Sequence, residues 1–304
     1  MKSRKQTLVI TGSSGFVGEK LAIRADVEGF DVIGIDIKKS MNLDCKQLEL
    51  DLISQDFYDK IPSESTIIHL ASLSTDSMCR ENPTLAIDAN LRASSLVLEN
   101  AKKSNAAHIL FASSEWVYPE RPEVTEQRES DHLDLADLKS LYAMTKLFGE
   151  SLIRSTSLVP YTILRFGIVY GERSVPQSAI ESLVKKAVDG EVSEVGSSKT
   201  ARRFIYVDDL CEGIFKVIKN GDKSDKIYNL AGKELVSLEM IFSIAEKILG
   251  SKHLIESSEK SPSIRNPISY KFYNHYSWEP QTSIENGINK LIKFYKNNRR
   301  ESVQ

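Results

Sequence analysis

The stretch TGSSGFVG, residues 11–18, follows the apolar run Leu8–Ile10 and precedes a segment in which apolar residues recur at helical spacing. Gly12, Gly15 and Gly18 give it three positions without a Cβ. Such positions suit a tight turn, a close backbone approach to a pyrophosphate, and close packing of a helix on a strand. The first N–H groups of the following helix would face the phosphates. The pattern therefore predicts a strand–turn–helix unit that binds a dinucleotide.

An acidic residue after this unit indicates which dinucleotide is bound. The run VIGID ends in Asp36, eighteen residues after Gly18. A carboxylate at this point accepts hydrogen bonds from the adenosine ribose and repels a 2′-phosphate, which favours NAD. Lys38 and Lys39 are close in sequence and leave NADP open as an alternative. Asp51, in LELDL, is either a contact to the adenine or a surface acid that caps a strand end.

Short apolar runs alternate with helical segments along the chain. The runs are too short and too rich in β-branched or aromatic residues for helices; they are LVI, VIGI, TIIHL, HILFA and YTILRF. Helical spacing is found in residues 16–27, 84–103 and 140–157. This alternation predicts an α/β fold with a doubly wound parallel sheet of the Rossmann type.

The pattern loosens after about residue 172, and no shift in composition marks a linker. We therefore predict a Rossmann domain for NAD in residues 1–172, with part of 200–230 returning to it. Residues 173–304 are predicted to form mainly a smaller, mixed α/β lobe that binds substrate.

Composition argues against several classes of partner. The 304 residues include 40 Lys and Arg and 42 Asp and Glu, a net charge of −2, which gives no electrostatic reason to expect nucleic acid or membrane. No apolar stretch approaches the roughly 18 residues that a membrane span needs. Three cysteines and five histidines are scattered without the spacing of metal ligands. We expect a cytoplasmic protein with free thiols and no metal.

A tyrosine and a lysine form the predicted catalytic centre. Tyr142 and Lys146 are four residues apart on a predicted helix, so they share a face. A phenol with an ordinary pKa of about 10 is a poor base, but an ammonium and the positive ring of an oxidised nicotinamide would lower that pKa. Ser114 follows the strand HILFA, where its hydroxyl can hold the substrate oxygen that Tyr142 deprotonates. Ser113 is the alternative for this role.

The motifs around these residues recur together in one family. They are TGSSGFVG, HLAS at 69–72, Asn90, SSEWVY at 113–118, YAMTK at 142–146, LRFGIVYG at 164–171 and RRFIYVDDL at 202–210. With them the chain resembles an extended short-chain dehydrogenase/reductase of the NAD-dependent nucleotide-sugar epimerase/dehydratase family. The resemblance implies a nucleotide-sugar substrate, and a homodimer that packs through the helices near 84–103 and 140–157.

The resemblance also implies roles for individual residues. The catalytic residues would be Ser114, Tyr142 and Lys146. The cofactor would be held by Gly12, Gly15, Phe16, Val17, Gly18, Asp36, Asp51, Leu52, Leu70, Ala71, Ser72 and Asn90, together with Tyr142 and Lys146. The substrate would be held by Ser113, Ser114, Glu115 and Arg202, of which Arg202 matches an arginine that binds the diphosphate.

One position discriminates among the reactions of the family. Members that dehydrate typically carry a glutamate two residues after the catalytic Ser or Thr, where this chain has Trp116. An indole cannot take a proton from carbon, so we predict an NAD-dependent epimerase of a nucleoside-diphosphate sugar, acting at C4 through a keto-sugar. The alternative is a one-way NAD(P)-dependent keto-sugar reductase or dehydrogenase. A sensor without catalysis is disfavoured because Tyr142 and Lys146 are both present.

Overall fold

The computed structural model describes residues 5–54, 56–221, 226–251, 255–258 and 260–301. The chain divides into two compact units. Unit 1 comprises Met1–Val117, His132–Arg165 and Ile214–Tyr228, and unit 2 comprises Tyr118–Asp131, Phe166–Gly213 and Asn229–Gln304. No helix in the described ranges is both long and apolar enough to span a bilayer.

The secondary structure alternates as the sequence predicts. The strands are β1 (Thr7–Thr11), β2 (Asp31–Asp36), β3 (Lys46–Glu49), β4 (Thr66–His69), β5 (His108–Ser114), β6 (Tyr161–Phe166), β7 (Ile168–Tyr170), β8 (Ser193–Val195), β9 (Ala201–Arg202), β10 (Phe204–Tyr206), β11 (Lys226–Leu230), β12 (Val236–Ser237) and β13 (Ile255–Ser257). The α-helices are α1 (Phe16–Val27), α2 (Asp76–Glu81), α3 (Pro83–Ile87), α4 (Ala93–Lys103), α5 (Leu141–Thr156), α6 (Ala179–Asp189), α7 (Val207–Asn220), α8 (Leu238–Leu249), α9 (Tyr270–Tyr276) and α10 (Ile284–Glu301).

A seven-stranded sheet has the order β3-β2-β1-β4-β5-β6-β11. The pairs β1–β2, β1–β4, β2–β3 and β4–β5 are all parallel. The strand order reverses between β1 and β4, and ligands of open α/β sheets bind outside the carboxyl ends of the strands at such a point. The backbone N–H of Leu70, just after β4, donates to the carbonyl of Thr11 at 3.1 Å. The predicted Rossmann sheet is confirmed.

The predicted strands and helices lie close to their predicted positions. Residues 16–27 form α1, residues 141–156 form α5, and the predicted helix 84–103 consists of α3, a π-helical turn at Asp88–Arg92, and α4. Every residue of β5 is buried, which explains why the run HILFA is continuously apolar. Ser140 begins α5 by accepting a hydrogen bond from the N–H of Ala143 at 3.2 Å.

Unit 2 has its own apolar core, in which α6, α8 and α10 pack around Tyr170 and Tyr206. Its short strands pair as β7–β10, β9–β12 and β8–β13. The loop 118–131 is tied to the segment 264–268. The N–H and carbonyl of Arg121 bond to Ile264, and Gln127 bonds to the backbone of the same segment. This loop is therefore held in place by main-chain pairing.

Candidate active site

The glycine-rich turn between β1 and α1 leaves no room for side chains. Gly12 has a φ of +72°, and a Cβ added there would lie 2.8 Å from the backbone nitrogen of Ala71. A Cβ at Gly18 would lie 2.1 Å from the carbonyl oxygen of Gly12. Gly15 is the N-cap of α1. The turn thus brings backbone and the first N–H groups of a helix to the carboxyl edge of the sheet, an arrangement suited to a pyrophosphate.

The carboxylate of Asp36 lies beside this turn. Its Oδ2 accepts a hydrogen bond from the N–H of Ser14 at 3.0 Å, and its Oδ1 accepts one from the N–H of Lys38 at 3.4 Å. Asp36 is half-buried at the end of β2, whereas Lys38 and Lys39 are exposed. A ribose hydroxyl that approached the end of β2 would meet a fixed carboxylate.

Most other predicted cofactor residues lie around the same edge. Phe16 and Val17 form the first turn of α1, and Leu70, Ala71 and Ser72 follow β4; all five are half-buried. Asp51 is exposed, and its Oδ1 accepts from the N–H of Ile53 at 3.1 Å, so it caps a turn. Leu52 is buried in the apolar core of unit 1.

Asn90 links two parts of the candidate site. It is buried in the π-helical turn, where its Oδ1 accepts from the N–H of Leu73 at 2.8 Å. Its Nδ2 donates to the carbonyl of Leu73 at 3.1 Å and to Oγ1 of Thr145 at 3.0 Å. The amide therefore fixes the segment after Ser72 against α5, next to Lys146.

Ser114, Tyr142 and Lys146 come together at the end of β5. The hydroxyl of Ser114 is close enough to the Tyr142 phenol to lower its pKa, and it also accepts a hydrogen bond from the N–H of Trp116 at 3.3 Å. Lys146 Nζ donates to the carbonyl of Ala112 at 2.8 Å and lies 5.8 Å from the centre of the Tyr142 ring. The indole of Trp116 packs edge-on against Tyr142, with ring centres 5.9 Å apart. This constellation can hold a substrate hydroxyl and move its proton.

Burial dominates the charge states of the group. It raises the pKa of Tyr142 to about 12, although the bond from Ser114 opposes the rise. It lowers the pKa of Lys146 to about 8, and that of His69 to about 3. His69 bonds to Thr11 and is therefore a neutral core imidazole. We expected Lys146 to lower the pKa of the Tyr142 phenol, but burial raises that pKa overall. A charged cofactor ring beside the phenol would have to lower it again before Tyr142 could act as a base at neutral pH.

Ser113 and Ser114 make different contacts. Ser113 is 2% exposed, and its hydroxyl donates to Oε1 of Glu150 at 2.5 Å, whereas Ser114 is the serine that lowers the pKa of Tyr142. Glu115 is fully buried in the short 3₁₀ turn after β5. Glu150, which is paired with Arg165, was not among the residues predicted from the sequence. The signal was present, because Glu150 follows Lys146 by one helical turn and therefore lies on the same face of α5.

Arg202, in unit 2, is in contact with a carboxylate. Its Nη2 lies 2.8 Å from Oε1 of Glu120, which also lies 3.2 Å from Nη2 of Arg265. Arg202 donates further to the carbonyl and hydroxyl of Ser263. Two guanidinium groups thus converge on one anionic oxygen, as they do on phosphates. The neighbouring Arg203 binds Asn266 and the backbone of Gly232 and Lys233.

Comparison with known families decides the identity of the fold. Residues 8–231 match the family described as the NAD dependent epimerase/dehydratase family. The matched range contains the glycine turn, Asp36, and the Ser114, Tyr142 and Lys146 constellation. The chain belongs to this family. The resemblance drawn from the sequence motifs is confirmed, and NAD is the cofactor that the family description names.

Individual members of the epimerase/dehydratase family are similar over nearly the whole chain. Protein CapI of Staphylococcus aureus is 28% identical, over 95% of this chain and 98% of its own. UDP-glucuronate 4-epimerase 6 of Arabidopsis thaliana is 26% identical, over 95% of this chain and 71% of its own. A mutant UDP-glucuronic acid 4-epimerase from Bacillus cereus, solved with UDP-4-deoxy-4-fluoro-glucuronic acid and NAD, shares the fold with a TM-score of 0.86. It is 21% identical, over 96% of this chain and 100% of its own.

Proposed function

We propose that this protein is an NAD-dependent 4-epimerase of a nucleoside-diphosphate sugar, with uridine diphosphate as the nucleotide. The observation that carries the proposal is the grouping of Ser114, Tyr142 and Lys146 at the end of β5, where Lys146 donates to the carbonyl of Ala112 and Ser114 lowers the pKa of the Tyr142 phenol. Membership of the NAD dependent family supports the cofactor. The names of the relatives, UDP-glucuronate 4-epimerases among them, support the nucleotide and the carbon.

The residues of unit 1 fit a dinucleotide. Close packing at Gly12 and Gly18 excludes side chains from the turn, so backbone N–H groups of the turn and of α1 would bind the pyrophosphate. Asp36 would bind the adenosine ribose and disfavour a 2′-phosphate. Leu70 and Ala71 would line the other side of the crevice. When bound, NAD would supply the acceptor and then the donor of the hydride that is exchanged with the sugar carbon.

The side chains of the site supply the proton transfers. Ser114 would hold the C4 hydroxyl of the sugar, and Oη of Tyr142 would take its proton as the C4 carbonyl forms. The positive charge of Lys146 would stabilise the phenolate. After the keto-sugar has turned its other face, Tyr142 would return the proton to the C4 oxygen as the hydride returns to C4, so the reaction is redox-neutral. Trp116 has no basic group, which leaves dehydration without a carboxylate at that position.

The predicted substrate contacts remain proposals. Arg202 would bind the diphosphate, because its guanidinium group is already held by Ser263 and contacts an anionic oxygen. Ser114 would bind the sugar hydroxyl directly. Ser113 and Glu115 are buried, and we propose that they shape the wall of the sugar site.

The purified protein is expected to release close to one equivalent of NAD(H) per chain on denaturation, because the reaction regenerates the cofactor in place. Chromatography of the supernatant measures this, and NMR of the protein with UDP-glucuronic acid or UDP-glucose detects inversion at C4. An empty protein that consumes NADH or NADPH with a keto-sugar would instead be a one-way reductase. That outcome would refute the epimerase.

We further propose that the protein is a homodimer that packs through α3 and α5, which lie against each other in unit 1. Leu85, Ile87 and Phe148 on these helices are apolar and 48–51% exposed. A second copy of the chain would bury them, and the resemblance implies a dimer at these helices. Light scattering is expected to give twice the chain mass, and Phe148→Glu should give monomers. The control is Ile23→Glu on α1. A monomeric wild type would contradict the proposal.

A further inference from the structure

A buried ion pair lies next to the proposed catalytic group. Glu150 on α5 is 1% exposed and Arg165 on β6 is 3% exposed. Nε and Nη2 of Arg165 donate to the two carboxylate oxygens of Glu150 at 2.9 and 2.7 Å. Removing two charges from water is costly, and apolar residues of similar size often stabilise a fold as well. Stability alone therefore does not account for a charged pair here.

The pair belongs to a ladder of contacts between α5 and the end of β5. Two successive residues of β5 are each hydrogen-bonded to one residue of the helix, and the third faces a helix residue. The carbonyl of Ala112 accepts from Lys146, the hydroxyl of Ser113 donates to Glu150, and Ser114 lowers the pKa of the Tyr142 phenol. The three helix residues are spaced by four, so they form one stripe on α5.

The charge of Glu150 acts on Lys146. Burial lowers the pKa of Lys146, and Cys79 and then the carboxylate of Glu150 oppose that effect. Other titratable groups also surround the ammonium of Lys146. His69 on β4 is neutral, the pKa of the Cys79 thiol on α2 is raised by burial, and Tyr142 lies on α5 itself.

Two further charged groups complete the surroundings. Glu115, in the turn after β5, acts on Tyr142 and raises its pKa. Arg165 is bound to the carboxylate of Glu150, so its positive charge offsets part of the charge of Glu150. Arg165 also fixes the orientation of that carboxylate from β6, the strand next to β5 in the sheet.

We propose that Glu150, oriented by Arg165, is a positioning residue that holds the Ser113–Ser114 segment in register with Tyr142 and places a fixed negative charge one helical turn from the ammonium of Lys146. This inference rests on the proposed roles of Tyr142 and Lys146. It explains why the stripe on α5 extends beyond Lys146 to a charged residue inside the core.

Glu150→Gln keeps the shape of the side chain and an acceptor for Ser113 but removes the charge. The pKa of Lys146 is then expected to fall by about one unit or more, because the variant removes a negative charge that favours the ammonium form. The alkaline limb of the kcat profile should move to lower pH by the same amount, since activity is lost when the ammonium loses its proton. A neutral amide oxygen holds the Ser113 hydroxyl less strongly than a carboxylate does, and the looser register should lower kcat about 10- to 100-fold.

The titration of Lys146 is measured directly by NMR of protein with ¹³C-labelled lysines, and the signal is assigned by its absence in Lys146→Met. Glu150→Gln removes the carboxylate that pairs with Arg165, so the double variant Glu150→Gln/Arg165→Met is measured as well. It removes both charges of the pair and should regain thermal stability. Lys146 should still titrate below its wild-type pH, because it is the carboxylate of Glu150 that raises the pKa of Lys146. Glu99→Gln, exposed on α4, is the control.

A purely structural role makes a different prediction. Lys146 would then titrate as in the wild type in both variants, and kcat would return with stability in the double variant; this result would overturn the inference. Failure of the proposed function is distinguishable, because the NMR titration needs no substrate. A protein that inverts no nucleotide sugar but shows the shifted Lys146 titration would refute only the epimerase.

Discussion

Tyr142→Phe is expected to lower kcat for epimerisation about 100- to 10,000-fold, the range that a positioned general acid–base contributes. The variant removes one oxygen atom. The ring keeps its place, because its edge-on packing against Trp116 does not involve the hydroxyl. NMR detection of the inverted sugar measures the turnover. The content of NAD(H) per chain, measured after denaturation, should stay at the wild-type value.

A matched control separates this effect from the loss of any phenol. Tyr58→Phe removes a hydroxyl from a side chain that is 44% exposed, in a 3₁₀ turn of the same unit. It should turn over as the wild type does. If Tyr142→Phe also kept full turnover, Tyr142 would not be the base, and another group at the end of β5 would have to move the proton.

The strands of the sheet could be predicted because each one shows a pattern of apolar residues in a short stretch of sequence. The runs that form β1, β4 and β5 are mostly apolar, since these strands are almost entirely buried, and the glycines mark the turn that follows β1. β3 (Lys46–Glu49) reads KQLE, with two exposed residues at its ends. A polar strand at the edge of a sheet is specified by its pairing with β2, which no local pattern reveals.

The candidate site was only partly predictable. The spacing of four between Tyr142 and Lys146 places them on one face from sequence alone. Which of two adjacent serines contacts the phenol depends on the twist at the end of β5, so both Ser113 and Ser114 remained candidates. The pairing of Glu150 with Arg165 joins a helix to a strand of the sheet and depends on tertiary packing.

Asn90 shows a similar limit. Its position in the sequence suggests a contact to the cofactor, and its amide in the structure bonds to Leu73 and Thr145. The segment that carries Leu73 follows directly on the predicted cofactor residues Leu70, Ala71 and Ser72. Hydrogen bonds to such a segment couple α5 to the cofactor edge of the sheet. A motif can therefore mark a residue that supports a site through the backbone around it.

Gly18→Ala is expected to lower the affinity for NAD about 100-fold, which corresponds to about 3 kcal/mol. The added Cβ would lie 2.1 Å from the carbonyl oxygen of Gly12 and 2.9 Å from Cα of Ser13, both rigid backbone atoms. The turn must therefore move away from α1. The N–H groups that face the pyrophosphate would then lose their geometry, and each hydrogen bond to a charged group contributes about 1.5–3 kcal/mol. Calorimetric titration with NAD measures the loss.

The control for this variant is Gly29→Asn, at the turn after the same helix. Gly29 has a φ of +86° with nothing within 4 Å of an added Cβ, and asparagine tolerates this conformation. Its NAD affinity should be that of the wild type. The two principal variants should then fail in opposite ways, because Tyr142→Phe keeps NAD without turnover whereas Gly18→Ala loses NAD with Tyr142 intact. Gly18→Ala protein that retained NAD would refute the assignment of the glycine turn to the pyrophosphate, whatever the fate of the epimerase.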